Sequence, residues 1–132
     1  DDIYAVWGGY ATSPRGIVFR NNVGKNAGVT RGFTYGVCVA VYGAADVTFT
    51  GTRCYDPPMN RRCVNGPFCN SCLAYVHDAW FGAVYPDGNR ISFVGNQYLN
   101  MDGSPIWDRP QVRSDRNSKA HVVTSMENYI LP

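Results

Sequence analysis

Cysteine is the residue type with the most available chemistry here, and there are five of them in 132 residues. Cys38 and Cys54 stand in apolar stretches, whereas Cys63, Cys69 and Cys72 fall in the segment 57–72, PPMNRRCVNGPFCNSC. That segment has almost no apolar periodicity, so it cannot hold a shape by burying a core, and disulfides are the expected constraint. The expected participants are Cys54, Cys63, Cys69 and Cys72, which would pin the segment to the strand before it. Cys38 is then the free thiol, since a small side chain is well tolerated in mid-strand. The competing use of these residues is a zinc site built from Cys54, Cys63, Cys69, Cys72 and His77. Zinc ribbons show two close Cys pairs, and only Cys69-Asn-Ser-Cys72 qualifies, so no metal is expected. A redox CxxC would want a βαβ setting that this chain lacks. An odd number of cysteines leaves one thiol free or joined to another molecule.

Charge is concentrated in a second stretch, 101–119, MDGSPIWDRPQVRSDRNSK. Arg109, Arg113 and Arg116 alternate there with Asp102, Asp108 and Asp115, the pattern of a solvated loop. Arginine is also the side chain best shaped to hold a carboxylate or sulfate in bidentate fashion. Of the aromatic residues, Trp80, Tyr85, Tyr98 and Trp107 are the candidates for stacking on sugar rings, with Arg116 beside them; burial in the core is the competing role for each. His77-Asp78 beside Trp80 is the one compact cluster of titratable and aromatic groups. No nucleophile elbow, phosphate-binding glycine loop or nucleotide fingerprint is present.

What must position these residues is a repeat. Val37–Asp56, VCVAVYGAADVTFTGTRCYD, aligns without a gap on Phe81–Asn100, FGAVYPDGNRISFVGNQYLN, at an offset of 44. Val47 falls on Ile91, Phe49 on Phe93 and Gly51 on Gly95. Ile17-Val-Phe-Arg-Asn-Asn is a third copy 30 residues before VTFTGT, and Val123-Thr-Ser-Met-Glu-Asn a weaker fourth. Side chains alternate between the two faces of a strand, so Ile17/Phe19, Val47/Phe49 and Ile91/Phe93 form one inward face. Just beyond it recurs a polar position, Asn22, Thr52, Asn96 and Asn128, where amides can bond across a turn. Repetition of this kind predicts an all-β chain, a short parallel solenoid of stacked units with two loop insertions, 57–72 and 101–119. The alternative is an antiparallel β-sandwich or barrel whose strands share the pattern.

Composition limits the function classes. The 45% hydrophobic and 17% charged fractions describe one ordered domain spanning 1–132, and 14 Gly and 8 Pro favour strands and turns over helices. A net charge of +2 with scattered basic residues gives no expectation of nucleic acid, and no apolar run is long enough for a membrane helix. Cysteine usage and the start at Asp1-Asp2 suggest a secreted, processed chain or part of a longer one.

The units GIVFRNNVGKN, ADVTFTGTRCYD and NRISFVGNQYLN resemble rungs of the right-handed parallel β-helix of the pectate and pectin lyase-like superfamily. A second similarity is Arg109-Pro-Gln-Val-Arg113 with His121-Val-Val and Asn128-Tyr, which resembles the Arg-Pro-Arg and His-Val-Asn-Asn-Tyr motifs of polysaccharide lyase family 1. The resemblance implies that Arg109 or Arg113 would abstract the proton beside a uronate carboxylate, with calcium as cofactor. Here Arg109 abuts Pro110, and the family's calcium-binding carboxylates have no clear counterpart. Two functions are therefore expected. One is a secreted module without cofactors that binds carbohydrate or assembles with other chains, end to end or as a homo-oligomer. The alternative is a lyase acting on acidic polysaccharide by β-elimination.

Overall fold

Alternating apolar residues in runs of three to five, separated by Gly and Asn, make short strands that bury one face each. The computed structural model describes residues 2–9, 12–25, 37–56, 73–77, 82–106, 112–114 and 118–124. The strands are β1 (Tyr4–Trp7), β2 (Ile17–Arg20), β3 (Val23–Lys25), β4 (Val39–Tyr42), β5 (Asp46–Thr50), β6 (Arg53–Asp56), β7 (Ala74–Val76), β8 (Arg90–Val94), β9 (Gln97–Asn100), β10 (Val112–Ser114) and β11 (Val122–Thr124). No helix occurs among the described residues. The chain visits three sheets in cyclic order: the first is β1-β4-β7-β10, the second β2-β5-β8-β11 and the third β3-β6-β9. Each circuit of the three is one coil.

Every pairing between these strands is parallel, which removes the antiparallel sandwich or barrel. The second sheet keeps the expected register, with Ile17, Val47 and Ile91 aligned, and Phe19, Phe49 and Phe93 aligned. Their rings stack down the core, Phe19 on Phe49 at 4.4 Å and Phe49 on Phe93 at 5.5 Å, with planes within 8° and 9° of parallel. Val39, Val41, Ala74 and Val76 of the first sheet and Cys54 and Tyr98 of the third close the same core.

The turn from the second sheet to the third is always two residues long, Asn21-Asn22, Gly51-Thr52 and Gly95-Asn96. Its first residue is left-handed each time, with φ of 55° at Asn21, 65° at Gly51 and 63° at Gly95. Asn and Gly are the residues that tolerate this region. Gly51 has a second reason, because a Cβ there would run into the Asn21 side chain. In the polar row that follows, Asn96 accepts from the Thr52 backbone N–H (2.9 Å) and donates to the Phe49 carbonyl (3.0 Å), tying the third coil to the second. Thr52 is equally buried, yet its Oγ1 has no hydrogen-bond partner among the described residues. A buried hydroxyl without a partner costs about 1 to 3 kcal/mol in desolvation. Thr52→Val is therefore expected to leave stability unchanged or raise it by up to about 1 kcal/mol, as read from a urea denaturation midpoint; a loss larger than that would mean the hydroxyl is bonded.

Four expectations are corrected here. The gapless alignment fails over its first half: the strand beside Val39–Val41 is Ala74–Val76, not the residues from 81 onwards, and 83–86 form no strand. The fourth copy slips by one, since Val122 and not Val123 aligns with Ile91. A slip of one flips every side chain to the other face, so Val123 points outward; Asn128, expected in the polar row, lies outside the described residues. The stretch 101–119 is not one loop, because β10 lies inside it; three residues are too few to show a period. Cys38 is not a free thiol. The chain bends at Cys38 just ahead of β4, which turns Cys38 into the core and Val37 out of it, and Cys38 is joined to Cys54 with their Cα atoms 6.0 Å apart.

Candidate functional site

On the first sheet the core-facing residues are Val6, Val39, Val41, Ala74 and Val76, so their neighbours Trp7, Ala40, Tyr42, Tyr75 and Arg113 point the other way. The parallel register puts Trp7 beside Tyr42, and His77 follows β7 at the equivalent place. Successive coils thus place Trp7, Tyr42 and His77 in one row, each 35 residues after the last (42 − 7 and 77 − 42). Their rings stack, Trp7 on Tyr42 at 4.0 Å and Tyr42 on His77 at 4.8 Å. Tyr75 joins from the adjacent row, its ring centroid 3.6 Å from that of His77, and the Arg113 guanidinium carbon lies 5.5 Å from the Tyr75 centroid. Arg113 and Tyr75 are aligned in the ladder, so strand pairing itself sets this cation–π contact.

Rings stacked from strand to strand turn their faces towards one another and their edges outward. The faces a sugar would cover are used by the coils themselves. Accessibility agrees: Tyr75 and His77 are each only 8% exposed, Tyr42 is partly buried, and Val37 and Ala40 are buried beside them, while Trp7 is 53% exposed. The sheet is thus apolar on both faces, as parallel sheets usually are.

Asp2 anchors this row. Its carboxylate accepts the Tyr42 hydroxyl at 2.6 Å and the Val37 N–H at 2.9 Å. Burial, and then the hydrogen bond and negative charge of Asp2, push the Tyr42 phenol well above its ordinary value of 10.0. A phenol held neutral in the fold but free to ionise when unfolded gives stability that is complete below the unfolded value. That contribution is lost progressively as pH rises towards the folded value. Unfolding midpoints measured between roughly pH 9 and 11 are expected to fall, and Tyr42→Phe to flatten that part of the profile; an unchanged slope in the variant would remove Tyr42 as the cause.

Of the residues expected to form a binding or catalytic site, only Tyr85, Tyr98 and Arg113 are among the described ones, and these three do not share a surface. Tyr85 is buried with its hydroxyl 2.8 Å from both the Val41 and His77 carbonyls, where it can donate to one at a time, and Tyr98 points into the core. Neither offers a ring to solvent. Arg113 lies on the outer face of the first sheet, while Arg109, Arg116, Trp80 and Trp107 lie outside the described residues, as do Cys63, Cys69 and Cys72. Cys54 is in a disulfide as expected, but its partner is Cys38, so its thiol is not available to a zinc site with His77. Among the described residues no three His, Cys, Asp or Glu side chains cluster as metal ligands, and no helix is long and apolar enough to cross a membrane.

Sequence reasoning missed Trp7, Tyr42, Tyr75 and Asp2. The 35-residue spacing from Trp7 to Tyr42 to His77 was the available signal, and it differs from both offsets, 44 and 30, at which the second sheet repeats. No protein family, curated protein or solved structure matches the chain.

Proposed function

We propose that the chain is a secreted, disulfide-stapled β-solenoid, a short parallel β-helix wound right-handed as parallel crossovers almost always are. In this reading it is a non-enzymatic module that joins other chains through the end formed by β1, β2 and β3. The carrying observation is the exposure of one large apolar side chain on each of these strands, Trp7 at 53%, Val18 at 54% and Val23 at 52%. The positions that follow them in later coils are partly buried or polar: Tyr42 and His77 after Trp7, Thr48 and Ser92 after Val18, Arg53 and Gln97 after Val23. Among the described residues the three strands also pair along one edge only. Unpaired edges flanked by apolar side chains are what a strand-adding partner recognises. The Cys38–Cys54 disulfide supports an oxidising compartment and hence secretion. Covalent footprinting of the chain alone and in its native extracellular material tests the reading. Joint protection of Trp7, Val18 and Val23 is expected; protection of Trp7 alone by added soluble glycan would favour carbohydrate binding instead.

A second reading keeps the acidic-polysaccharide lyase, because Arg113, Tyr75 and His77 place a cation, a phenol and an imidazole on one face. Burial of Tyr75 and His77 leaves a substrate little access to them. Release of an ultraviolet-absorbing unsaturated product from polyuronate, abolished by Arg113→Lys, would put this reading first.

A further inference from the structure

Resting on the end-docking reading, we infer that the partner of the first coil is the opposite end of a second copy of this chain, joined head to tail. The strands at that end are β10 in the first sheet and β11 in the second, each pairing on one side only among the described residues. The ladder of the second sheet runs unbroken from Ile17 through Val47 and Ile91 to Val122. Both ends of the sheet therefore carry the same register. A copy translated along the solenoid axis meets Val122 with Ile17, Val123 with Val18 and Thr124 with Phe19, the inward and outward residues in phase. In the first sheet the same translation brings Val112 to Tyr4, since Tyr4, Val39, Ala74 and Val112 share one rank.

The side chains suit one another. Val18, the most exposed large apolar residue of the first coil, would be covered by Val123, which is also outward and apolar. Ile17 and Phe19 are only partly buried although their successors Val47 and Phe49 are fully buried, so the core itself ends unfinished at the first coil. The new contact extends the interface that already joins each coil to the next, with parallel hydrogen bonding and no change of register. Among the described residues the third sheet ends at β9, so the matching register is seen in the first two sheets. Such a contact is heterologous, uses a different surface on each partner, and propagates.

Sedimentation velocity on the intact, disulfide-bonded chain tests this over a concentration series. The wild type is expected to form species that lengthen with concentration. Val18→Lys blocks one end and Val123→Lys the other, so each variant alone stays monomeric, while an equimolar mixture gives dimers and nothing larger. Both positions face outward, and matching thermal melts confirm folding; Val18→Thr and Val123→Thr serve if a lysine variant fails to fold. Association of either variant alone to the wild-type extent would overturn the head-to-tail arrangement. A tandem of two copies on a flexible linker, at effective concentrations of about millimolar, separates the remaining failures. If free chains stay monomeric but hydrogen exchange slows at Ile17–Arg20 of the second copy in the tandem, the second copy is not the natural partner and end docking stands. If exchange is fast in the tandem as well, the second copy is overturned as the partner, and loss of the footprinting protection at Trp7, Val18 and Val23 in native extracellular material is what would overturn end docking itself.

Discussion

Phe49→Ala is expected to lower the unfolding free energy by roughly 3 to 5 kcal/mol, the largest effect of any single side-chain truncation considered for this fold. Phe49 is fully buried and stacks on two rings, Phe19 in the coil before and Phe93 in the coil after. Its removal takes away the transfer energy of one aromatic side chain, about 0.5 to 1.5 kcal/mol for each stacked pair, and leaves a cavity that the flanking strands cannot close. Those strands are held at a fixed spacing by the ladders on either side of β5, so collapse would break hydrogen bonds in the second sheet. Phe19→Ala should cost less, because Phe19 is only partly buried and stacks on one phenylalanine ring. Chemical denaturation of the two variants side by side checks the order; equal losses would mean that the first coil is as well packed as the second.

The second sheet was legible because its turn into the third sheet never changes length. Two residues, the first left-handed, separate the strands in each of three coils, so apolar rank and turn residue recur together, as in Phe49 with Gly51 and Phe93 with Gly95. The first sheet was not legible by the same alignment. Thirteen residues separate Val76 of β7 from Arg90 of β8 but only three separate Tyr42 of β4 from Asp46 of β5, so an offset that matches one sheet misses the other. That difference is why the alignment set 83–86, which form no strand, against β4. It also hid the Trp7–Tyr42–His77 row, whose members are linked by register and not by similar sequence.

The aromatic residues show the limit of composition as a guide to a binding site. Tyr85 and Tyr98 sit near repeats and carry both a flat face and a hydroxyl, which suits a sugar as well as a core. Only three dimensions show the Tyr85 hydroxyl over two backbone carbonyls at the end of the first sheet, where it donates a hydrogen bond beside the one the His77 N–H already gives to the Val41 carbonyl. Cys38 was misjudged for a similar reason. Strict alternation from Val37 to Tyr42 puts Cys38 outward, and the bend that reverses it lies just before the strand begins.

Loss of the Cys38–Cys54 bond is expected to cost about 3 kcal/mol, the value for closing a loop near this length in the unfolded chain. The two residues are 16 apart, and the bond crosses the core from the lead-in of β4 to β6, so it fixes the second coil to itself rather than to the segment 57–72. Both cysteines are buried, and Gly24 packs directly against Cys38 Sγ in the coil before, at the rank of Cys54. Mild reductant should therefore act slowly, by way of local opening, and the cleaner measurement is denaturation of a Cys38→Ala/Cys54→Ala variant. Gly24 supplies an internal control. A Cβ at that position would collide with the sulfur, so Gly24→Ala should be costly when the bond is present and much less so once Cys38 is alanine. The difference between the two backgrounds is expected to be about 1 to 3 kcal/mol, the range for residues in direct contact. Strictly additive losses would show that the sulfur does not occupy the space above Gly24, and would undo the packing of the second coil's disulfide against the first coil.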